Sequence, residues 1–390
     1  MALSLAERGE FADPFAAMPT GPTAHVAPVH PAAASLVFRA FGESPAAHAW
    51  LYWAAAAALA AQAALLPLLS RAVGLGAGAG LCGAVLALLA APPPTARWES
   101  DYVALLMIVL TGLIAVRARR PEPGPSGRDA VIGGGWGLLI LAYPVAAIVW
   151  LAWTGWEIRR DGLAACWRRQ LVMVAVPVLI LAPWLVRNHQ ALGGFTFVRD
   201  NLGIEMAVSF NACTGVSLFD NMLSGCFKRH HPNRSPSEAR RVRELGELEY
   251  NRRALASALD YIAAEPVRSA GLIARRAASF WAPSPVGDPW RELTRGPRRW
   301  SSAVVYASTL LAIGGVVVTL RRRLAAGPLL LAWALLLPLP YYLVQFSLRY
   351  RAPMLWVTFL LAGVALHAAS SSTRGGTVFQ PSRSAPRTSA

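Results

Sequence analysis

The sequence almost lacks lysine: Lys228 is the only one in 390 residues. Charged residues of both signs reach only 15%, against 55% hydrophobic. That balance excludes a disordered basic chain, which would invert it. No Walker loop, no Gly-x-Ser-x-Gly and no His-Glu-x-x-His occurs, so the common soluble-enzyme signatures are missing. Residues 1–20 contain Glu7, Glu10 and Asp13 and no continuous apolar stretch, which excludes a signal peptide there. A formal net charge of +16 first suggests nucleic acid. The arginines that supply it sit mostly at the ends of apolar runs, where they serve as topology signals and phosphate-facing anchors. No nucleic-acid partner is expected.

What the chain has in abundance is apolar length. Runs lie near 46–70, 73–91, 101–116, 130–156 and 171–186, and again near 301–320, 327–346 and 352–369, on either side of a wet stretch from Arg187 to Trp300. Many approach the ~20 residues that a helix needs to cross a ~30 Å hydrocarbon layer. The expected fold class is an all-α polytopic membrane protein of about nine membrane segments, dissolved in the lipid bilayer.

Short arginine-rich loops mark the cytoplasmic side. Arg117, Arg119, Arg120 and Arg128 crowd one loop, Arg159, Arg160, Arg168 and Arg169 the next, and Arg321, Arg322 and Arg323 a third. Keeping all three inside requires 130–156 to cross twice or to return as a broken hairpin, turning near Tyr143-Pro144 where proline removes a backbone donor. The organisation that follows is an outer-face segment 1–45, membrane helices 46–186, a periplasmic domain 187–300, membrane helices 301–369 and a disordered cytoplasmic tail 370–390. The connections 92–100 and Ser347–Arg351 also face outside. Gly76-Ala-Gly-Ala-Gly80 and Gly133-Gly-Gly135 look like phosphate loops, but within apolar runs small residues are expected to let helices pack closely.

In the outer domain, Ser235-Pro-Ser-Glu238 is a helix start, with a serine cap, proline at the first position and a capping-box glutamate. That helix should run to Pro266, and a second from Val267 to Trp281 should rest on the membrane surface. Residues 192–225, rich in Gly, Asn, Phe and Thr, read as short strands or irregular loops. The whole makes a small, mostly helical cap. Cys213 and Cys226 could close a disulfide in an oxidising compartment. Metal binding with His230 and His231 is the alternative, although the spacing fits no zinc pattern.

Ionisable groups at the outer membrane face are costly unless used. Four clusters stand there in this topology. They are the N-terminal stretch through Asp13 to His30, Trp98-Glu-Ser-Asp101, Trp184-Leu-Val-Arg-Asn188 with Arg199-Asp-Asn201, and Arg349-Tyr-Arg-Ala-Pro353. Individually each has a plain reading as an interfacial anchor or a solvated loop. Their convergence on one face argues for a site.

Several phrases, in order, resemble the bacterial GT-C glycosyltransferases, the polytopic relatives of protein O-mannosyltransferases and of the lipid A aminoarabinose transferase. They are Leu5-Ala-Glu-Arg-Gly-Glu-Phe with Asp13-Pro-Phe, Thr20-Gly-Pro-Thr-Ala-His, Ala182-Pro-Trp-Leu-Val-Arg-Asn and Arg199-Asp-Asn-Leu-Gly. His231-Pro-Asn, Leu245-Gly-Glu and Arg349-Tyr-Arg-Ala-Pro complete the set. The likeness covers nearly the whole chain to about residue 369.

The resemblance implies an inner-membrane, multi-pass enzyme that transfers a sugar from a polyprenyl-phosphate carrier to an acceptor on the outer side. The acceptor is left open. Such chemistry needs a carboxylate base and a cation for the leaving phosphate. Glu99 or Asp101 matches the family's second acidic position, and Arg187, Arg349 and Arg351 are the candidates for carrier-phosphate contacts. A divalent metal assists some such enzymes, but no clear ligand set is present here and no cofactor is implied. In the family, an initial helix and an Asp-bearing loop precede the stretch in which Met1 falls. The expectation is therefore that both are missing from this chain, which keeps a non-catalytic scaffold in play. A transporter is disfavoured, because the runs hold few ionisable residues and no repeat.

Overall fold

The computed structural model describes residues 1–90, 98–119, 124–282 and 299–373. Residues 92–97 of the connection expected at 92–100, Arg120 and the tail beyond 373 lie outside the described residues, and 98–100 open a helix instead. Among those described there is no strand, and the isolated bridges are Ala12 to Pro22 and Ser217 to Phe346.

A pair of N-terminal helices, α1 (Ala2–Arg8) and α2 (Val29–Phe41), precedes the bundle. Then come α3 (Pro45–Val73), α4 (Ala77–Ala90), α5 (Trp98–Arg119), α6 (Gly127–Ala142), α7 (Ala146–Asp161) and α8 (Leu163–Leu192). Helix α3 starts where Ser44 Oγ accepts the amide of Ala47 at 3.3 Å, with Pro45 at the first position. It stops at Gly74, whose φ of 95° suits a left-handed cap. Its outward side carries Trp50, Trp53 and Leu68, all exposed, as a lipid-facing helix requires.

The apolar glycines do pack helices. A Cβ on Gly80 would lie 2.5 Å from the carbonyl of Leu66, and one on Gly363 would lie 2.2 Å from that of Ala79. No side chain fits between those backbones, so the helices touch there.

Residues 130–156 form a hairpin. Helices α6 and α7 break at Tyr143-Pro144, and their far ends come back together. Arg117 at the end of α5 bonds Asp129 at the start of α6 and reaches Glu157 near the end of α7 at 3.3 Å. Gln170 of α8 donates to the same Glu157 at 3.0 Å, and Arg169 pairs with Asp161 at 2.7 Å. Four helix ends thus share one buried ionic cluster, in which each charge has an opposite partner.

The cap follows α8. It consists of α9 (Leu202–Ser209), α10 (Leu218–Leu223), α11 (Cys226–His230), α12 (Pro236–Leu245), α13 (Glu247–Ala264) and α14 (Pro266–Trp281). Three expectations change here. Residues 192–225 hold two short helices and an irregular link rather than strands. Ser217 and Asp220 start one of these by a reciprocal capping box. The single helix expected from Ser235 to Pro266 is cut at Gly246, whose φ of 81° cannot continue it. At Ser235 only half the capping box forms: its hydroxyl accepts the Glu238 amide at 3.4 Å, while the Glu238 carboxylate turns to Tyr250 and Arg241. Cys213 and Cys226 are joined in a disulfide, their Cα atoms 5.7 Å apart. That leaves neither sulfur as a thiolate for the metal alternative, although His230 lies beside them.

The chain returns through α15 (Arg299–Arg321), α16 (Gly327–Leu335), α17 (Leu339–Leu343), α18 (Leu348–Arg351), a 3₁₀ turn (Ala352–Met354) and α19 (Leu355–Thr373). The run expected over 327–346 is broken, because Pro338 has no amide to carry the helix on. Among the described residues five stretches are long and apolar enough to cross a bilayer: Pro45–Val73, Glu99–Arg119, Leu163–Leu192, Ala303–Arg321 and Leu348–Ser370. The chain is an all-α, multi-pass membrane protein.

Candidate functional site

The four polar clusters meet at one end of the bundle. The N-terminal segment between α1 and α2 is laid across the cap, and Phe15 is buried with Ile204, Val208, Val242 and Tyr250. Burying a phenylalanine contributes about 1.5–3 kcal/mol to holding that segment down. Polar clasps fix its path. Asp13 accepts the amides of Thr20 and Gly21 at 3.0 and 2.9 Å, and Asn233 accepts that of Ala16 at 3.0 Å. Glu247 accepts the Thr23 hydroxyl and the Ala24 amide, the latter at 2.7 Å.

The clasps on Glu247 are buried. Burial pushes the Glu247 carboxyl up to about 7, against the pull of its bonds to Thr23 and Ala24. Asp200, whose amide donates to Ala24, is raised to about 6 by burial. His25 and His231 face each other at 6.2 Å between ring centroids. Burial lowers both, His231 to about 4, and His25 is lowered further by His231 and Arg199. The His231 Nδ1 accepts the Asn233 amide at 3.0 Å, which fixes its tautomer.

Beneath this layer a cavity of about 330 Å³ opens between the N-terminal segment, the cap and the bundle. Its polar wall includes Glu99, Arg199, Glu205, Tyr341, Arg349 and Tyr350. Glu99 stands in the first turn of α5, and Glu205 in the first turn of α9. Arg199 lies on the link from α8 to α9 and spends one donor on the His25 carbonyl at 3.2 Å. Arg349, on α18, lies over the Tyr350 ring at 5.0 Å and donates to its hydroxyl at 3.2 Å. Tyr350 stacks on Tyr341 at 4.7 Å, and Tyr341 bonds Tyr143 hydroxyl to hydroxyl at 2.5 Å. Two carboxylates and two guanidiniums therefore face one space, and no salt bridge among the described residues joins them.

The expected site residues separate into two groups. Glu99 and Arg349 line the cavity together. Asp101 is outside the cavity wall, on the side of α5 where Gln62 donates to its carbonyl at 2.8 Å. Arg187 is outside it as well: its donors go to the carbonyls of Phe11 and Thr23, both at 2.7 Å, and its guanidinium carbon lies 5.3 and 5.0 Å from the ring centroids of Phe11 and Trp184. Arg351 is buried behind the wall, giving its donors to the carbonyls of Phe280 and Trp281 at 3.1 and 3.0 Å and to the Thr309 hydroxyl. Sequence reasoning passed over Glu205 and left Arg199 as one member of a cluster. A lone carboxylate in the apolar stretch Leu202–Ser209 was the available signal for the first.

No protein-family profile and no curated protein sequence matches the chain. Solved structures do match in fold. The apo oligosaccharyltransferase of Archaeoglobus fulgidus superposes with a TM-score of 0.55 at 15% identity, over 95% of this chain and 46% of that one. The oligosaccharyltransferase AglB of the same organism, in complex with an inhibitory peptide and a dolichol-phosphate, gives 0.54 at 16% identity, over 97% of this chain and 47% of that one. ArnT from Cupriavidus metallidurans bound to undecaprenyl phosphate gives 0.39 at 15% identity, over 96% and 72%. The chain spans just under half the length of the archaeal enzymes. It has the fold of the GT-C membrane glycosyltransferases.

Proposed function

We propose that the cavity takes a polyprenyl-phosphate-linked sugar and that the chain transfers the sugar to an acceptor hydroxyl at the outer face of the inner membrane. The observation that carries this is the meeting of Glu99 and Glu205 with Arg199 and Arg349 around one cavity, with no salt bridge joining them among the described residues. Carboxylates and guanidiniums that face one space without direct contact leave room for an anionic donor and for an acceptor whose proton is removed. The archaeal relative of the same fold was solved with a dolichol-phosphate, a lipid phosphate of that class.

In the transfer, the acceptor oxygen forms a bond to the anomeric carbon as the bond from that carbon to the phosphate oxygen breaks. The electron pair leaves on the phosphate, which Arg349 and Arg199 stabilise as it gains charge. The acceptor proton passes to the Glu99 carboxylate. Glu205, across the cavity, balances the arginines while the site is empty. Arg187 and Arg351 work at one remove, by holding the segments from which the wall is built.

The test is transfer from polyprenyl-phosphate sugars by the protein in nanodiscs, using a panel of sugars. Glu99→Gln should lower the rate by about 10²–10⁴-fold. Arg349→Ala should lower it by about 10²–10³-fold. Undiminished transfer in both variants would remove the site assignment. A wild-type chain that neither binds nor consumes any such donor would leave the non-catalytic scaffold as the better account.

A further inference from the structure

The cavity wall includes a segment with no helix of its own, Val344 to Ser347, between α17 and the short α18 that carries Arg349. Such a link should leave a functional arginine poorly placed. It is instead tied to the cap through Gln345, Phe346 and the helix end at Leu343. Arg276, fully buried, donates to the Leu343 carbonyl at 3.0 Å and lies over the Phe210 ring at 4.9 Å. The Gln345 amide donates to Ser209 Oγ at 2.8 Å. Phe346 and the loop before α10 exchange two backbone bonds, Phe346 to Val216 and Leu218 to Phe346, both 2.9 Å.

The side chain that closes this arrangement is Asn221. Its Nδ2 donates to Gln345 Oε1 at 2.8 Å, and its Oδ1 accepts the Gly215 amide at 2.6 Å. Asn221 and Gln345 are both buried, so neither can exchange its partner for water. Val216, Ser217 and Asn221 all lie within the loop that the Cys213–Cys226 disulfide closes.

We propose that this disulfide-closed loop is the positioning element for Arg349, with Asn221, Gln345 and Arg276 as its positioning residues. The inference rests on the phosphate-binding reading of the cavity and adds how the phosphate ligand is held in register. Thermal motion of Arg349 is restricted through a side-chain lock in the cap, not through the membrane helix that follows it. Opening the disulfide widens the conformational range of the loop and loosens the lock.

Two measurements on the full chain in nanodiscs separate this from the reading it rests on. The first is hydrogen–deuterium exchange over residues 343–351. Asn221→Ala, or Cys213→Ser with Cys226→Ser, should speed exchange there by about fivefold or more, while helices α3 to α8 keep their protection. Unchanged exchange over 343–351 overturns the proposal whatever the cavity binds. The second is affinity for farnesyl phosphate, with farnesol as the uncharged control. Asn221→Ala and Gln345→Leu should weaken the phosphate by about fivefold and leave farnesol unchanged. Equal losses for phosphate and alcohol would show a structural role only and defeat the assignment. Absence of phosphate binding in the wild type defeats the function proposed above, while the exchange result still decides whether the lock exists.

Discussion

Asp129 and Glu157, at the two ends of a broken helical hairpin, are held by one guanidinium, that of Arg117. Both carboxylates are nearly inaccessible, at 1% and 2% side-chain exposure, so the pairing decides whether the hairpin can close. Removing the cation leaves two buried charges with too little compensation. Arg117→Leu should lower unfolding stability by about 3–5 kcal/mol, read as the thermal midpoint in detergent. Adding Asp129→Asn and Glu157→Gln to that variant should recover most of the loss. A single variant as stable as wild type would mean that the cluster is bypassed in solution.

The cavity geometry separates two neighbouring carboxylates that the sequence treats alike. Glu99 lines the space and Asp101 does not. Glu99→Gln should depress kcat, whereas Asp101→Asn should leave kcat within about threefold of wild type, as befits a group that contacts no reacting atom. At the other wall, Arg349→Lys keeps the charge but loses the planar fork, and should raise KM or lower kcat more than Asp101→Asn does. Transfer kinetics on the three variants check the order. The reverse order would move the base to Asp101.

Much of this fold was legible because its signals are compositional. Arginine clusters and Tyr143-Pro144 foretold the hairpin, and apolar length foretold the long helices. What stayed hidden were partners without a side-chain signature. Arg187 and Arg351 are expected at the carrier phosphate because the phrases that hold them resemble those of the GT-C enzymes. Their actual partners are mostly backbone carbonyls, which any sequence supplies. Gly246 breaks a helix through a positive φ that its flanking heptad-like leucines give no hint of. Glu205 went unseen because one carboxylate in an eight-residue helix carries no periodicity.

The cap depends on a backbone approach that tolerates no side chain. A Cβ at Gly203 would lie 1.9 Å from the carbonyl of Asn251, so α9 and α13 pack in contact. Asn251 itself donates to the Asp200 carbonyl at 3.1 Å and accepts the Ile204 amide at 3.1 Å, tying both helices to the link that carries Arg199. Gly203→Ala must push the helices apart, at a cost of about 1–3 kcal/mol or more. Limited proteolysis of the cap should accelerate accordingly, and donor binding should weaken as Arg199 and Glu205 shift. A cap that resists protease as before would contradict the packing.

The N-terminal clasp should respond to pH through Glu247. Its carboxyl is raised to about 7 in the folded chain from an unfolded value of 4.5, chiefly by burial. A raised carboxyl binds its proton more tightly when folded, so its contribution is fully present below 4.5 and is lost as pH climbs through about 7. Asp200, raised from 3.8 to about 6, acts with the same sign. His231 acts oppositely: lowered from 6.5 to about 4, it supplies stability above 6.5 that fades as pH falls towards 4. Because these slopes oppose one another, the informative quantity is the difference between Glu247→Gln and wild type, not either curve alone. Glutamine keeps an acceptor for the Ala24 amide and cannot ionise, so the variant should gain on wild type as pH rises between about 5 and 8. Thermal midpoints across that range check it. A difference that stays flat, or that shrinks with rising pH, would mean that Glu247 is already ionised in the clasp and held by Arg187 more strongly than burial opposes it.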